Sequence, residues 1–162
     1  VLDICNAKVN DSCGFHVHMD AAGFNLDTWK NLTLTYKHLE HLIDAFMPRT
    51  RRNNTYCKTL SGVSDERIKS VRTIDGLREV FNNDRYHKVN FEAYSRHRTV
   101  EFRQHSGTTN FTKMENWIRF LNGLITFAKR SSLPSRMTLE ELPFLDGKQK
   151  LFFKLRTKKL AV

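Results

Sequence analysis

The sequence contains little that would mark a membrane, secreted or disordered protein. No apolar run approaches the roughly 20 residues that a bilayer-crossing helix needs, and the N-terminal stretch VLDICNAK has no signal-peptide pattern. Only 7 glycines and 3 prolines occur in 162 residues, and 40% of the residues are hydrophobic, which is typical of a globular chain. We therefore predict a soluble, cytoplasmic protein with a single domain over residues 1–162.

Cysteine is also scarce, with Cys5, Cys13 and Cys57 as the complete set. An odd number without a C-x-x-C pair argues against a disulfide framework and against a zinc site built from cysteine pairs. We therefore predict three reduced thiols, as expected in the cytosol.

Positive charge is the strongest signal in the composition. The 27 Lys and Arg residues outnumber the 17 Asp and Glu residues, which gives a net charge of +10. Such an excess favours nucleic acid, nucleotide phosphates or an acidic protein surface as partners. The alternative is that basic residues only coat a solvated surface, and Arg49 in particular has a simple structural role beside a helix C-terminus. The candidate contacts to nucleic acid or a protein partner are Arg49, Arg51, Arg52, Arg96, Arg98, Lys148, Lys150, Lys154, Arg156, Lys158 and Lys159.

Hydrophobic periodicity predicts the first half of the fold. A strand over residues 13–20 precedes an amphipathic helix that is capped by Asn25 or Asp27 and stopped at Pro48. One or two short helices are predicted over residues 64–83.

The second half begins with two strands, over residues 85–94 and 96–105, joined by a turn around residues 95–97. A long helix then starts at Thr112, with Thr112 and Glu115 as a capping box. The basic tail is either an element docked on the core or a free arm. This order predicts an α+β domain in which an antiparallel sheet is covered on one face by helices.

The segment CGFHVHMD, residues 13–20, alternates polar and apolar side chains. On a strand, His16, His18 and Asp20 share one face, while the intervening Phe, Val and Met side chains pack into the core. An H-x-H pattern alone is a weak signal for a ligand pair. Whether the two histidines form a ligand site depends on side chains that another strand brings beside them.

A second alternating segment, RTVEFRQH, supplies those partners. Glu101, Arg103 and His105 share one face, and the following SGTT predicts a flexible turn that a ligand can approach closely. If both strands lie in one sheet, His16 and Glu101 form a candidate site for a divalent cation, and Arg103 and His18 would contact phosphate oxygens. Phosphoryl transfer needs both a metal ion that neutralises charge and positive side chains that hold the transferred group. A plain ion pair between Glu101 and Arg103 remains the alternative.

Five segments in order resemble the putative amidoligase family, which is related to glutamine synthetase and glutamate–cysteine ligase: CGFHVHMD, PRTRRNNTYC, RYHKVNF, RTVEFRQHSGTTN and the helix around Trp117–Arg119. The resemblance spans about residues 10–130, the C-terminal part of such a domain, and leaves residues 131–162 as a basic C-terminal extension. It implies part of a glutamine synthetase-like fold and an ATP- and Mg-dependent ligase that joins a small-molecule or peptide carboxylate to an amine.

The resemblance also implies roles for individual residues. His16 and Glu101 correspond to metal ligands, and His18 and Arg103 to catalytic side chains that contact ATP phosphates or substrate. Further cofactor or substrate contacts are implied for Arg49, Arg52 and Asn90.

The chain departs from the family in one respect. Family members carry an earlier G-x-E-x-E strand that supplies further carboxylates, whereas VLDICNAKVNDS resembles the end of a helix. His16 and Glu101, with Asp20 at most, would coordinate Mg²⁺ poorly. We therefore expect a truncated ligase that is inactive or completes its site with another polypeptide, as an oligomer or otherwise. The alternative is a non-catalytic basic binding protein on a degenerate ligase scaffold, such as a phage or mobile-element inhibitor that binds nucleic acid or a host nuclease ribonucleoprotein.

Overall fold

The computed structural model describes residues 4–161 and confirms the predicted α+β class. In this part of the chain, three strands form one antiparallel sheet, and the other regular elements are six α-helices and two 3₁₀ turns. The strands are β1 (Val17–Asp20), β2 (Val89–Asn90) and β3 (Thr99–Phe102). The helices are α1 (Leu26–Ala45), α2 (Asp65–Ser70), α3 (Ile74–Val80), α4 (Ala93–His97), α5 (Phe111–Ala128) and α6 (Gly147–Leu160), with 3₁₀ turns at Arg49–Arg51 and Leu139–Glu141.

The central strand of the sheet is β3, which pairs with β1 on one side and β2 on the other. His18 of β1 and Asn90 of β2 both lie directly opposite Glu101. Residues directly opposite one another on antiparallel strands point to the same face. The sheet therefore places three polar side chains side by side on one face.

The other face of the sheet carries the core. Tyr36 of α1 packs against Phe102 of β3, with ring centroids 5.8 Å apart, and both side chains are buried. The helix α1 begins where the Asn25 side chain accepts a hydrogen bond from Thr28 N at 2.8 Å. Its apolar residues recur every three or four positions and face the sheet and α5. The long helix α1 therefore covers the face of the sheet opposite the one that carries His18, Asn90 and Glu101.

The strand pair predicted for residues 85–105 is interrupted by a helix. The strand β2 is only two residues long, because the Asn90 side chain accepts a hydrogen bond from Glu92 N at 2.9 Å and turns the chain. The helix α4 then replaces the predicted turn and ends at Arg98, which has a left-handed φ of 55°. The guanidinium of Arg98 lies over the Tyr94 ring, 4.9 Å from its centroid.

The start of α5 also differs from the prediction. Asn110 is the N-cap and accepts a hydrogen bond from Lys113 N at 3.0 Å, so the predicted capping box of Thr112 and Glu115 is wrong. Thr112 lies inside the first turn of the helix, and Glu115 lies at the start of the second. Asparagine is as good an N-cap as serine or aspartate, and it comes two positions earlier in the chain than Thr112.

The basic tail docks on the core as α6. Asp146 and Gln149 form a capping box at its start, and the Phe153 ring packs at a tilt against Phe46 with ring centroids 4.4 Å apart. The sequence pattern did not reveal this helix, because Leu151 and Leu155 are 57% and 58% exposed and the apolar residues do not share one face.

Residues 4–12 form turns and irregular structure, so the helix end predicted before Cys13 is wrong for these residues, and Val1–Asp3 lie outside the described part. In residues 4–161, no helix is both long enough and apolar enough to cross a bilayer.

Candidate active site

The carboxylate of Glu101 is the point on which four side chains converge. Arg103 Nη1 donates to Oε1 at 2.9 Å, and Asn90 Nδ2 donates to Oε2 at 2.6 Å. His16 Nδ1 lies 3.1 Å from Oε1, and His18 Nε2 lies 3.7 Å from the same oxygen. Glu101 is 6% exposed, so these neighbours replace most of its water.

A glycine makes room for His16 in this cluster. A Cβ atom at position 14 would lie 2.6 Å from His16 Nε2 and 3.1 Å from Arg51 Nη2. Both contacts are with side chains, and the first is closer than atoms can pack. Gly14 therefore allows the imidazole to turn toward Glu101.

The surroundings of Glu101 set its ionisation. Burial alone would raise the pKa of this carboxyl, but hydrogen bonds from His16 and Asn90 and the positive charge of Arg103 lower the pKa to about 2. Glu101 is therefore a carboxylate at neutral pH. It can accept hydrogen bonds or bind a cation, but it has no proton to donate as a general acid.

Arg103 lies among protein groups rather than in open space. It is 5% exposed, its Nε donates to Tyr56 O at 3.2 Å, and its guanidinium lies 5.4 Å from the centroid of the Tyr86 ring. Its backbone N donates to Lys88 O at 2.8 Å. Through its hydrogen bonds, the guanidinium holds Glu101 and the loop at Tyr56 in place.

A pocket of about 450 Å³ opens beside Glu101. His18, Asn90 and Glu101 of the sheet line it, together with residues from α3, from the loop before β2, and from α4 and its N-cap. Those further residues are Arg78, Asn83, Arg85, Glu92, Ala93, Ser95, Arg96 and His97. The volume is within the range of pockets that hold small ligands.

The charge of this pocket is positive. Arg78 Nε lies 3.1 Å from both carboxylate oxygens of Glu92, and Arg103 balances Glu101, so both carboxylates are neutralised. Arg85 and Arg96 have no carboxylate within salt-bridge distance among residues 4–161. The pocket therefore favours an anionic ligand.

His18 is held at the edge of the pocket by two contacts. Its Nδ1 lies 2.8 Å from Thr99 Oγ1, and its ring meets that of His97 edge to face at 5.9 Å. These contacts direct Nε2 toward Glu101 and the pocket. The imidazole is thus placed to exchange a hydrogen bond with a bound ligand.

His105 does not join this cluster, in contrast to the prediction that it shares a face with Glu101. Val17 pairs with Phe102, and the next pair is Gly14 with Ser106. The two residues between Gly14 and Val17 therefore lie opposite the three residues between Phe102 and Ser106. Such a bulge turns the following side chains to the opposite face. His105 is 3% exposed and packs against Phe15 and Trp117 at ring distances of 5.7 and 5.6 Å.

The turn after this strand also differs from the prediction. A Cβ atom at Gly107 would lie 2.4 Å from Cys13 Cβ, and Gly107 N donates to Cys13 O at 2.8 Å. The close approach that the glycine permits is therefore made by the protein's own chain.

The three arginines after α1 lie away from the pocket. Arg51 is buried and donates through Nε to Gln104 O at 3.2 Å, and through Nη2 to Arg103 O. Arg52 Nε donates to Met47 O at 3.1 Å, and Arg49 is exposed. Arg51 therefore supports the chain after β3, and its burial removes it from the predicted contacts to nucleic acid.

Several cations of the tail are used within the fold. Lys150 Nζ donates to Glu140 O at 2.6 Å, and Arg156 Nε donates to Phe46 O at 3.2 Å at the end of α1. Lys154 Nζ lies 3.4 Å from Glu140 Oε1 in an exposed pair. The remaining cations of the predicted contacts are exposed: Arg96, Arg98, Lys148, Lys158 and Lys159.

The side chains around Glu101 do not by themselves fit a magnesium site. Within residues 4–161, no group of three or more His, Cys, Asp or Glu side chains is arranged to hold a metal ion. Both oxygens of Glu101 already accept hydrogen bonds, and Asp20 Oδ1 accepts one from Ala22 N at 3.0 Å. Mg²⁺ prefers several oxygen ligands in octahedral geometry. By contrast, Arg85, Arg96 and His18 do fit a phosphate group, because guanidinium and imidazole donors suit its oxygens.

Residues 2–125 match the model of a family described as "Putative amidoligase enzyme". The match includes every side chain around Glu101 and every residue of the pocket, and it ends within α5. No curated protein and no solved structure matches the chain. The helix α6 lies outside the matched range.

Proposed function

The chain belongs to the putative amidoligase enzyme family, and on this basis we propose that it is an ATP-dependent ligase that joins a carboxylate to an amine. The observation that carries this proposal is the positive pocket beside the ionised Glu101 cluster. ATP, when bound, supplies the phosphoryl group that activates the substrate carboxylate for attack by the amine.

In this proposal, two arginines and a histidine of the pocket bind the negatively charged phosphate groups. Arg85 and Arg96 neutralise phosphate oxygens through directed hydrogen bonds, and His18 Nε2 donates to a further oxygen. The Arg85 guanidinium is exposed and lies 5.2 Å from the centroid of the Tyr86 ring, so its donors are free to turn toward a bound phosphate.

Arg103 and Asn90 act through Glu101. They hold its carboxylate ionised and in one orientation, and the carboxylate in turn holds His16 with Nδ1 toward it. A requirement for Mg²⁺ stays a prediction from the family resemblance.

We also propose that the chain works in the cytoplasm. The three cysteines are free, and Cys5 is exposed while Cys57 is buried, as expected of thiols in a reducing compartment. ATP is the co-substrate of the proposed reaction and is abundant there.

Isothermal titration with ATP tests the ligase proposal, with the Arg85→Gln/Arg96→Gln variant beside the parent chain. We expect the parent to bind and the variant to lose at least about tenfold in affinity, since two charge-assisted hydrogen bonds are removed. The control variant Arg130→Gln/Arg136→Gln removes the same charge at exposed positions outside the pocket and should bind like the parent. A parent chain that binds no nucleotide, with or without Mg²⁺, would contradict the proposal.

A second candidate function is the binding of nucleic acid. Lys113, at the start of α5, has its pKa lowered by burial and by the nearby charges of Arg156 and Lys159. Like charges held together favour a polyanion that relieves their repulsion. Affinity for a single-stranded RNA should then fall steeply between low and high salt, and binding that is insensitive to salt would exclude this function.

A further inference from the structure

An apolar groove lies on the helical side of the molecule, formed by the C-terminal half of α1, the 3₁₀ turn at Leu139–Glu141 and α6. Its volume is about 460 Å³, and Leu42, Ala45 and Leu139 supply apolar lining. Lys154 and Lys158 stand at its edge. Because α1 packs on the sheet face opposite Glu101, this groove is separate from the pocket of the proposed ligase.

The walls of the groove have helical spacing. On α6 and its C-cap the lining residues are Lys154, Thr157, Lys158 and Ala161, which follow an i, i+3, i+4, i+7 pattern. On α1 and its C-cap they are Leu42, Ala45 and Phe46. Ridges with this spacing accept the side chains of another helix, which is a common mode of peptide recognition.

The charge along the groove favours an acidic occupant. Lys158 has no carboxylate within salt-bridge distance among the described residues, and Lys154 has only its exposed contact with Glu140 at 3.4 Å, a kind of pair that contributes little. Glu140 is the one carboxylate that lines the groove, and the two lysines outweigh it, so the edge stays positive and would pair with carboxylates of a partner.

Apolar surface continues on the far side of the two lysines. Leu151 and Leu155, one turn apart on α6, are 57% and 58% exposed. A small anionic amphiphile would fill the groove and leave these leucines in water. A helix lying along α6 would cover the groove, the lysines and the leucines together.

We propose that this surface, defined by Leu42, Leu139, Leu151, Lys154, Leu155 and Lys158 and named here the α6 surface, binds an acidic amphipathic helix of a partner protein. Apolar side chains of the partner enter the groove, and its carboxylates pair with Lys154 and Lys158. This interaction does not depend on the ligase chemistry, since no residue of the α6 surface lines the Glu101 pocket.

The test uses two synthetic peptides of about 18 residues, long enough to form a helix. One has leucines at every third and fourth position with glutamates between them, and the other has lysines in place of the glutamates. Affinity is measured by fluorescence anisotropy, and the contact surface is mapped by amide chemical shifts of the ¹⁵N-labelled chain. We expect the acidic peptide alone to bind, with shifts centred on Leu42, Leu155 and Thr157.

Variants of the chain test whether the acidic peptide binds at the α6 surface. Lys154→Glu/Lys158→Glu should weaken the acidic peptide by at least about tenfold and allow the basic peptide to bind. Leu155→Gln should weaken the acidic peptide, whereas a ligand confined to the groove would not respond. The control Lys8→Glu/Lys129→Glu changes the same charge at exposed positions elsewhere and should have little effect.

Three outcomes would overturn the proposal. Equal binding of both peptides would indicate unspecific apolar adhesion, and equal weakening by the control variant would indicate a general charge effect. Binding of anionic vesicles or a single-stranded RNA at the α6 surface, without binding of the acidic peptide, would assign the surface to a different class of partner.

Discussion

The guanidinium of Arg103 donates to the carboxylate of Glu101 at 2.9 Å, and both side chains are buried at the end of the central strand. Removing one member of a buried pair leaves the other charge without compensation, which costs more than the pair itself contributes. Arg103 therefore contributes to the ionisation of Glu101, beside His16 and Asn90, and to the stability of the sheet around it.

The first prediction concerns Arg103→Gln. We expect the pKa of Glu101 to rise from about 2 toward its ordinary value of 4.5, and the free energy of unfolding at pH 7 to fall by about 3 kcal/mol. Carboxyl ¹³C NMR measures the pKa, and urea denaturation measures the stability.

Two controls separate this pair from general charge effects. The double variant Glu101→Gln/Arg103→Gln should lose less stability than the sum of the single variants, because no buried charge is left alone. Arg119→Gln removes an exposed partner of Glu115 on α5 and should change stability by less than about 0.5 kcal/mol. If Arg103→Gln behaves like Arg119→Gln, the pair does not hold the site together.

The second prediction is a loss of stability in mild acid caused by His105. Burial, and then the charges of Arg156, Lys113 and Arg51, lower the pKa of His105 to about 4 from an ordinary value of 6.5. Between these values the unfolded chain takes up a proton that the folded chain does not, so this residue lowers stability as pH falls through that range. The effect above pH 6.5 is nil, and it reaches at most roughly 3 kcal/mol near pH 4.

Urea denaturation between pH 7 and pH 4 measures this effect, with His105→Gln as the comparison. The variant should be less stable than the parent at pH 7 because it packs poorly against Trp117. Its stability should nevertheless depend less on pH. If the free energy of unfolding falls equally with pH in both proteins, the loss of stability comes from a group other than His105.

The sequence predicts the centre of the site through the alternation of its strands. Val17 and Phe102 point into the core, and this fixes His18 and Glu101 on the opposite face without knowledge of the rest of the fold. The amphipathic helices α1 and α5 are predictable for the same reason, since their apolar residues recur with the period of a helix.

Features that depend on single side chains or distant contacts are not predictable in this way. The Asn90 side chain ends β2 early, and the bulge before Ser106 moves His105 away from Glu101, yet neither changes the hydrophobic pattern. Arg85 and Arg96 line the pocket only because α4 and the loop before β2 meet there. The helix α6 was missed because its leucines face solvent.

The third prediction concerns Lys88, which is fully buried and lies 2.8 Å from both Glu40 and Asp44. Lys88→Met should lower the free energy of unfolding by about 3–5 kcal/mol, because two carboxylates of α1 lose their only described cation. Urea denaturation measures the change. Lys58→Met, which breaks a half-exposed pair with Asp84, is the control and should cost less than about 1 kcal/mol. Similar costs for the two variants would show that burial of the Lys88 charge is unimportant.

The last prediction concerns Gly14, whose missing side chain makes room for His16. In Gly14→Ala the new Cβ would lie 2.6 Å from His16 Nε2, so the imidazole must leave its place beside Glu101. We expect the pKa of Glu101 to rise above about 2, since a hydrogen bond to its charged form is lost, and ATP binding by the proposed site to weaken. Gly23→Ala is the matched control, because a Cβ there meets nothing within 4 Å and should leave both measurements unchanged. An unchanged pKa of Glu101 in Gly14→Ala would mean that His16 does not contribute to the ionisation of the carboxylate, and that Asn90 and Arg103 suffice.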